Sequence, residues 1–359
     1  MNDKTDIPRM VDVARAAGVH QTTVSRALRG DPALPEATRT RLTALAEEMG
    51  YRRNPLVSAL VAERRRGHPS GHGDVLAVLT PGGGEASLWR KKSDTYRRLY
   101  QLLSHHANRM GYRLEEFSLE GQGGRPGRLE EILVARGVRG VMLAPMPMET
   151  DRIAFEFRSF AAVAMRIRLH SPELDRVVPN YFSAMETALE KLEATGHTRI
   201  GFLSDLDVDE RVRHRSLGAY EANHFQHPDL LAPPLIVPRW RKTVFLRWVR
   251  THRPDAIVTS VYDHHALTTC WLREAGRKIP EDLSVISLDC HADTAEAGIQ
   301  HNLDLEAEHL IKLLSRKVEI AEFGVPAYAC QVDIPGVWRD GPDFAPRKTG
   351  GTPQSRENR

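Results

Sequence analysis

The sequence predicts a small all-helical unit at the N-terminus, followed by an α/β core of two lobes in which parallel sheets are flanked by helices. Residues 8–51 are rich in Ala, Thr and Arg, and their apolar spacing is typical of short helices. From Val75 onward, short apolar runs alternate with helical patterns in two successive series. Strands separated by helices form right-handed βαβ units and therefore parallel sheets. A Gly, Pro, Ser and His cluster at 67–73 indicates a linker between the helical unit and the core.

The elements of the core follow from the chain in order. The first series predicts strands at 75–80, 113–118, 140–144 and 161–165, and helices at 95–110 and 128–136. The second series predicts helices at 180–194, 216–224, 244–251 and 264–274, and strands at 200–204, 235–237, 256–259 and 284–288. One more helix is predicted at 306–318. The composition after Gly341 is typical of a disordered tail.

The formal net charge of +3 hides an uneven distribution of charge along the 359 residues. Residues 1–68 hold 12 Lys/Arg and 8 Asp/Glu, whereas residues 69–340 hold 34 and 37. The near-neutral total excludes a protein that coats DNA through bulk positive charge. The basic excess at the N-terminus instead favours a local contact with phosphates.

The cysteines and the apolar runs exclude several other classes of protein. Cys270, Cys290 and Cys330 lie far apart, so neither a disulfide framework nor a zinc finger is expected, and we predict three buried thiols in a reducing cytosol. The first ten residues contain no signal-peptide core, and no apolar run approaches the 18 residues of a membrane helix. We expect a cytoplasmic, nucleoid-associated protein with no membrane partner, no metal and no cofactor.

The segment 10–29 has the spacing of a helix-turn-helix. Ala14 precedes Gly18 by four residues, and Val24 follows it by six. A small residue on the first helix admits the second, a glycine permits the left-handed turn, and an apolar residue packs back across it. The second helix would expose Gln21, Thr22, Ser25 and Arg26, residue types that suit base edges and phosphates. A plain helical bundle with a solvated polar face is the alternative.

The same segment carries a family resemblance. Residues 11–19 (VDVARAAGV), together with Thr23-Val-Ser-Arg26, Thr38-Arg39, Gly50-Tyr51 and Asn54, resemble the lactose-repressor (LacI/GalR) family of bacterial transcription regulators. The resemblance is dense over residues 9–60 and looser beyond them. It implies a three-helix DNA-binding headpiece, a hinge helix and a core of two lobes related to periplasmic sugar-binding proteins. It also implies a dimer or a tetramer on a pseudo-palindromic, double-stranded operator. Because no leucine heptad follows Gly341, we expect a homodimer.

The resemblance assigns DNA contacts by position. Gln21, Thr22 and Arg26 fall where the family contacts bases, and Leu60 matches the leucine that the family inserts into the minor groove. The remaining residues that match phosphate, docking or hinge positions are Thr23, Ser25, Thr38, Tyr51 and Asn54. Arg29 is not part of that match, but as a basic residue at the end of the segment it could add a contact with the DNA backbone.

Some residues depart from the family pattern. His20 replaces the usual serine that caps the recognition helix, so that helix is expected to lose a good N-cap. Around the hinge the sequence reads Arg53-Asn54-Pro55, with Val57-Ser58 where the family has Ala-Arg. The run 64–66 (RRR) provides either extra phosphate contacts or solvation of the linker.

Three further matches lie in the core. They are residues 180–203, residues 215–220 (RSLGAY) and residues 279–289 (IPEDLSVISLD). By position, Arg215 and Asp289 correspond to effector-contacting residues of the family, and a guanidinium fork or a carboxylate can bind hydroxyls or a heterocycle edge. A surface arginine and a strand-end cap are the respective alternatives.

Residues 262 and 263 are weaker candidates for the effector site. Asp263 matches the Asp of a family Asn-Asp pair, and Tyr262 stands where the Asn would be. Tyr262 could stack on a sugar face or pack under the lobe. The glycines at 82–84 follow the first strand but lack a phosphate-loop Lys, so they favour a cleft rim. Trp89 and Tyr96 either stack on the ligand or pack in the core.

These observations predict a ligand-responsive, sequence-specific DNA-binding transcriptional regulator, most simply a repressor, with a sugar or other metabolite in the cleft between the lobes. The expected organisation is a headpiece at 1–53, a hinge helix and linker at 54–73, a core at 74–340 and a tail at 341–359. The lobes are expected at about 74–176 plus 301–325 and about 177–300 plus 326–340. A periplasmic-type solute-binding protein and an α/β enzyme are the alternatives. The helix-turn-helix and the lack of a G-x-S-x-G, zinc or phosphate-loop motif count against them.

Overall fold

A computed structural model of the protein describes residues 8, 10–28, 34–51, 74–81, 94–119, 127–146, 153–166, 171–291 and 294–347. The expected hinge helix and linker, the glycines at 82–84, Trp89 and residues 348–359 lie outside these ranges. The described residues divide into two units. The first takes residues up to Met165, 171–176 and 307–330, and the second takes Arg166, 177–306 and 331–347.

The N-terminal helices are α1 (Met10–Ala17), α2 (Gln21–Ala27) and α3 (Glu36–Glu48). They enclose a core of their own, because each helix turns a few small or branched apolar side chains inward. Val13 and Val24 are fully buried in this core, and Met10, Val19 and Met49 pack around it. The all-helical N-terminal unit predicted from the sequence is therefore present.

The first unit continues with a parallel sheet and its flanking helices. Its elements are β1 (Asp74–Thr80), α4 (Asp94–Arg109), β2 (Tyr112–Ser118), α5 (Arg128–Ala135), β3 (Gly140–Leu143) and β4 (Ala161–Met165). Strand β1 pairs in parallel with β2 and β3, and β3 pairs in parallel with β4. Every residue of β3 and β4 is buried, as expected for the continuous apolar runs of strands covered on both faces.

The chain passes from the first unit into the second within β5 (Arg176–Pro179), which is a strand of the first sheet. The next elements are α6 (Tyr181–Ala194), β6 (Ile200–Asp205), α7 (Leu206–Arg211), α8 (Arg215–Gln226), β7 (Leu235–Val237), α9 (Lys242–His252) and β8 (Ala256–Thr259). The remaining elements of the chain are α10 (Tyr262–Glu274), β9 (Ser284–Ser287), β10 (Gly298–Gln300), α11 (Leu303–Ile320), β11 (Gln331–Ile334) and β12 (Val337–Arg339).

The two sheets have the same plan. Their strand orders are β11-β5-β4-β3-β1-β2 and β12-β10-β9-β8-β6-β7. In the second sheet β6 pairs in parallel with β7 and β8, and β8 with β9, while β12 is an antiparallel edge strand on β10. The carboxyl ends of β6, β8 and β9 therefore lie on one edge of the sheet. Asp205, Ser260 and Asp289 lie at or just beyond these three strand ends.

The structure adds elements that the sequence patterns did not predict. Strands β5, β10, β11 and β12 have only three or four residues each, and α7 has six. A periodic pattern cannot show in so few residues, so these elements are set by their neighbours in space.

Two expectations need correction. Cys290 is buried, but Cys270 and Cys330 are exposed, because one lies on the solvent side of α10 and the other just before the edge strand β11. The tail also does not begin at Gly341. The Val285 amide donates to the Asp343 carbonyl over 2.8 Å, and the Arg347 guanidinium donates to the carbonyls of Glu281 and Asp255, so residues 341–347 pack on the second unit.

Candidate DNA interface and ligand site

The turn between α1 and α2 is built around Gly18. This residue has a φ of +63°, and the Val19 amide reaches back to the Ala14 carbonyl over 3.1 Å. A helix commonly ends on such a left-handed residue, and only glycine adopts it without cost. The spacing of Ala14, Gly18 and Val24 thus produces the predicted helix-turn-helix.

Helix α2 has one inward and one outward side. Val24 and Ala27 are buried against the other helices, while Gln21 and Thr22 are exposed at the first turn. In helix-turn-helix proteins the N-terminal residues of the second helix contact base edges. The structure therefore leaves the predicted base-reading residues available on the surface.

His20 caps α2, which corrects the expected loss of the cap. Its backbone is extended, at φ −71° and ψ 148°, and its Nδ1 accepts the Thr22 amide hydrogen over 3.3 Å. Nδ1 also lies 2.9 Å from the Thr22 hydroxyl oxygen. The imidazole nitrogen thus takes the place of the serine oxygen as the acceptor that satisfies an orphan amide of the first turn.

The remaining predicted DNA contacts are divided between described and undescribed residues. Thr23, Arg26 and Thr38 are half-buried, and Tyr51 packs against the headpiece core. Ser25 lies on α2 next to the buried Val24. Arg29, Asn54 and Leu60 lie outside the described residues.

A hydrogen-bonded network occupies the carboxyl edge of the second sheet. Asp205, the last residue of β6, accepts the Val208 amide over 2.8 Å and the Nε2 hydrogen of His264 over 2.9 Å. The other ring nitrogen of His264 lies 2.8 Å from the Ser260 hydroxyl, which in turn lies 2.9 Å from the hydroxyl of Ser204. Two hydroxyls, an imidazole and a carboxylate are therefore linked across the ends of two neighbouring strands.

The charge state of Asp205 follows from its partners. Burial alone would raise the pKa of its carboxyl, but the hydrogen bonds from His264 and the Val208 amide outweigh burial and hold that pKa below its ordinary value. The Trp240 ring covers His264 at a centroid distance of 4.6 Å. The indole Nε1 of Trp240 is buried and has no hydrogen-bond partner among the described residues.

Asp289 stands beyond the end of β9 and faces a buried histidine. Its Oδ1 lies 3.8 Å from Nε2 of His301, and its own amide donates to the Ser287 hydroxyl over 3.1 Å. Burial lowers the pKa of His301, against the opposing effect of the Asp289 charge. At 3.8 Å the two groups are too far apart for a hydrogen bond, so the Asp289 carboxylate, 29% exposed, can accept hydrogen bonds from other donors.

Arg215 is the first residue of α8, and its side chain forms hydrogen bonds with other residues of the protein. Its guanidinium donates to Oδ1 of Asp333 over 3.0 Å and to Oε1 of Gln331 over 3.2 Å. Both acceptors belong to β11. The side chain is 32% exposed, so a ligand that uses this fork would compete with two internal acceptors.

The other two predicted ligand residues begin α10. Tyr262 stacks on His291, with ring centroids 4.8 Å apart and planes 23° from parallel, and Asp263 is exposed. Tyr262 also lines an open groove of about 570 Å³ between α10, residues 294–296 and residues 342–343. Neither Asp205 nor Asp289 lines that groove.

The structure does not join the four predicted ligand residues into one contact set. Within the described part of the chain, the contacts of Arg215, Asp289 and Tyr262 each go to different partners. Sequence reasoning missed the residues that do form a network, namely Ser204, Asp205, Ser260 and His264. Their signal was available, because Asp205 ends an apolar run and His264 follows Ser260 by one helical turn. Trp240 carried no such signal.

The described residues contain no group of three or more His, Cys, Asp or Glu side chains that could hold a metal ion. Among the same residues, no helix has both the length and the apolar character needed to cross a bilayer.

Comparison with known proteins identifies both parts of the chain. Residues 9–54 match the family model for bacterial regulatory proteins of the lacI family, and residues 189–318 match the periplasmic binding protein-like domain. The regulator MalR of Streptomyces coelicolor is 26% identical over 54% of this chain and 52% of its own length. The maltose regulon regulatory protein MalI of Escherichia coli is 31% identical over 56% of each chain. The chain thus spans little more than half of these relatives.

Solved structures show the same fold at low identity. The lac repressor dimer bound to operator and the anti-inducer ONPF superposes with a TM-score of 0.54 at 14% identity, covering 94% of this chain and 98% of that one. The CelR–cellobiose complex gives a TM-score of 0.52 at 16% identity, over 94% and 100% of the two chains. Residues 9–54 thus correspond to a helix-turn-helix domain of the LacI type and residues 189–318 to a periplasmic-binding-protein-like domain, and the relatives of the chain are LacI-family transcriptional regulators.

Proposed function

We propose that the protein is a ligand-responsive transcriptional repressor that binds a pseudo-palindromic operator as a homodimer and senses a small sugar. In this proposal residues 1–53 bind DNA, residues 54–73 form the hinge and linker, and the core to residue 340 binds the effector and dimerises. The protein would act in the cytoplasm, on DNA of the nucleoid.

One observation carries the DNA-binding half of the proposal. Helix α2 closes the headpiece core with Val24 while its first turn exposes Gln21 and Thr22. An amide and a hydroxyl at this position suit the hydrogen-bonding edges of bases in the major groove. The basic excess of residues 1–68 supplies the electrostatic attraction to phosphates. The operator-bound lac repressor has the same fold.

The DNA-binding half is tested by selecting sequences from a random DNA library with the full chain. We expect a two-fold symmetric consensus and an affinity that falls steeply with salt. Gln21→Ala should relax the consensus at one position of each half-site. Gln101→Ala, which removes an exposed glutamine of α4, serves as the matched control and should leave the consensus unchanged. Selection of no consensus by the unmodified chain would contradict the proposal.

The ligand half rests on the carboxyl edge of the second sheet. Carboxylates, hydroxyls and an indole suit the hydroxyls and the apolar face of a sugar ring. Asp289 is partly exposed there, and the buried Trp240 Nε1 hydrogen has no acceptor among the described residues. Ligands of this fold class bind outside the carboxyl ends of the strands. The CelR structure carries cellobiose, and MalI is named for the maltose regulon.

A thermal-shift screen of the full chain with maltose, cellobiose and simple hexoses tests the ligand half. A sugar that binds the folded state raises the unfolding temperature by mass action. Asp289→Asn should abolish that shift, whereas Asp229→Asn, at an exposed carboxylate, should preserve it. If no sugar shifts the unfolding temperature, or if the shift survives Asp289→Asn, the proposed sugar site is wrong.

The proposed DNA binding and the proposed ligand binding are thermodynamically linked. A ligand can alter operator affinity only by as much as its affinity differs between two conformations of the protein. We therefore expect the same sugar that raises the unfolding temperature to change operator affinity. Reciprocally, operator DNA should change the affinity for that sugar by the same factor.

A further inference from the structure

His20 has two ring nitrogens, and the structure uses only one of them. Nδ1 accepts the Thr22 amide hydrogen and thereby caps α2. A neutral imidazole that accepts at Nδ1 carries its proton on Nε2. The N-cap contact therefore fixes the tautomer and makes Nε2 a hydrogen-bond donor.

That donor has no partner within the described part of the protein. His20 is exposed. The two residues that follow, Gln21 and Thr22, are exposed as well. Nε2 lies three bonds beyond Cβ, whereas a serine cap would end one bond beyond it. The histidine cap thus adds a donor with longer reach to the surface on which DNA is proposed to bind.

We propose that His20 is a DNA-contacting residue whose Nε2 hydrogen is donated to an acceptor on the operator. The inference rests on the proposed DNA-binding function. In this proposal the DNA is contacted by the His20 side chain and not by the backbone amides at the start of α2. The acceptor is an oxygen or nitrogen of the duplex, either a phosphate oxygen or a purine N7 or guanine O6 in the major groove.

Two substitutions separate capping from DNA contact. His20→Ser keeps an acceptor for the Thr22 amide and removes the imidazole donor, whereas His20→Ala removes both. The full chain and both variants are assayed for unfolding temperature, for the consensus selected from a random library, and for affinity to the consensus of the unmodified chain. His105→Ser, at an exposed histidine of α4, is the matched control.

We expect His20→Ser to keep the unfolding temperature and to weaken operator binding by roughly 3- to 10-fold, the range for one neutral hydrogen bond. A base-edge acceptor predicts that the loss is confined to one position of each half-site, where the consensus relaxes. A phosphate acceptor predicts an equal loss on all sequences. Either pattern supports the contact.

The inference is overturned if His20→Ser binds the same consensus with unchanged affinity while His20→Ala loses only stability, since His20 would then act as a cap alone. Absence of any consensus for the unmodified chain would instead overturn the proposed function. The two failures are thus distinguished by the unmodified protein.

Discussion

Nε2 of His264 lies 2.9 Å from Oδ2 of Asp205, so the first turn of α10 is tied to the end of β6 across the edge of the second sheet. The same carboxylate accepts the Val208 amide with its other oxygen and caps α7. One side chain therefore fixes both the histidine ring and the helix that follows the strand. This makes Asp205 the residue on which the geometry of the edge depends.

Replacing Asp205 tests how much its hydrogen bonds to His264 and to the Val208 amide stabilise the second unit. Asp205→Asn keeps an acceptor for the helix cap but loses the charge-assisted bond to His264, so we expect a loss of roughly 1–3 kcal/mol in the free energy of unfolding. Urea unfolding followed by tryptophan fluorescence measures it, because four of the five tryptophans (240, 248, 271 and 338) lie in the second unit.

The pH dependence of this effect has a definite sign. The pKa of Asp205 is lowered in the folded state, so its contribution is complete above the ordinary value of 3.8 and is lost as the pH falls through the folded pKa. The gap between the unmodified chain and Asp205→Asn should therefore narrow below about pH 4. A gap that widens on acidification would contradict the assignment. Asp229→Asn is the control.

A second effect of pH on stability comes from His197, which is buried and contacts Ser284, the first residue of β9. Its ring nitrogens contact the Leu192 carbonyl at 3.1 Å and the Ser284 hydroxyl at 3.0 Å. Burial lowers the pKa of His197, while its bond to Leu192 and the Asp255 charge oppose that change. The neutral form stabilises the fold above the ordinary value of 6.5, and this stability is lost as the pH falls through the folded pKa.

We therefore expect the second unit of the unmodified chain to lose stability between pH 7 and pH 5. The same measurement on His197→Gln should show a lower starting stability and a shallower dependence on pH. An equal slope for both proteins would show that His197 does not contribute to it. Since burial also lowers the pKa of His265 and His301, a residual slope is expected.

Two glycines of the second unit make a matched pair for packing. A Cβ on Gly201 in β6 would lie 2.2 Å from the Trp248 ring, whereas a Cβ on Gly218 in α8 would meet nothing within 4 Å. Gly201→Ala should cost about 1–3 kcal/mol because the indole has to move. Gly218→Ala should stabilise by roughly 0.5–1 kcal/mol, since alanine is the better helix former. Urea midpoints that reverse this order would refute the packing argument.

Arg215 offers a test of ligand response that leaves the headpiece untouched. Its guanidinium is held by Asp333 and Gln331 on β11, as an ion pair and a hydrogen bond. Arg215→Ala should weaken the response of operator binding to the effector sugar and leave operator affinity without sugar unchanged. Gel-shift titrations with and without the sugar measure both quantities. An unchanged response would remove Arg215 from the site and favour its alternative, a surface ion pair.

The sequence predicted the headpiece well because its signals are local. The spacing of Ala14, Gly18 and Val24 is sufficient to define the turn, and all three residues lie within eleven positions of the chain. The long periodic helices and the fully buried strands were predicted for the same reason, with ends that differ by a few residues. The prediction at His20 was wrong because the common N-caps are Ser, Thr, Asp and Asn, whereas an imidazole nitrogen can accept the same amide hydrogen.

The polar residues at the carboxyl edge of the second sheet were harder to predict because they meet only in space. Ser204 on β6 and Ser260, which follows the end of β8, are 56 positions apart in the chain, and Asp205 and His264 are 59 positions apart. Arg215 was assigned to the ligand by resemblance, yet its fork is satisfied by Asp333, 118 positions away. Such partners carry no periodic signal, and only the alignment of parallel strand ends reveals them.

The sequence alone thus determined the division into a basic helix-turn-helix unit and a two-lobed α/β core, since helical period, apolar runs and local charge are properties of short segments. Tertiary structure alone decided which polar side chains share a partner, which cysteines reach solvent and that residues 341–347 pack on the second unit. Those outcomes depend on contacts between distant segments. Their free energies arise from burial and hydrogen bonding that exist only once the sheets have formed.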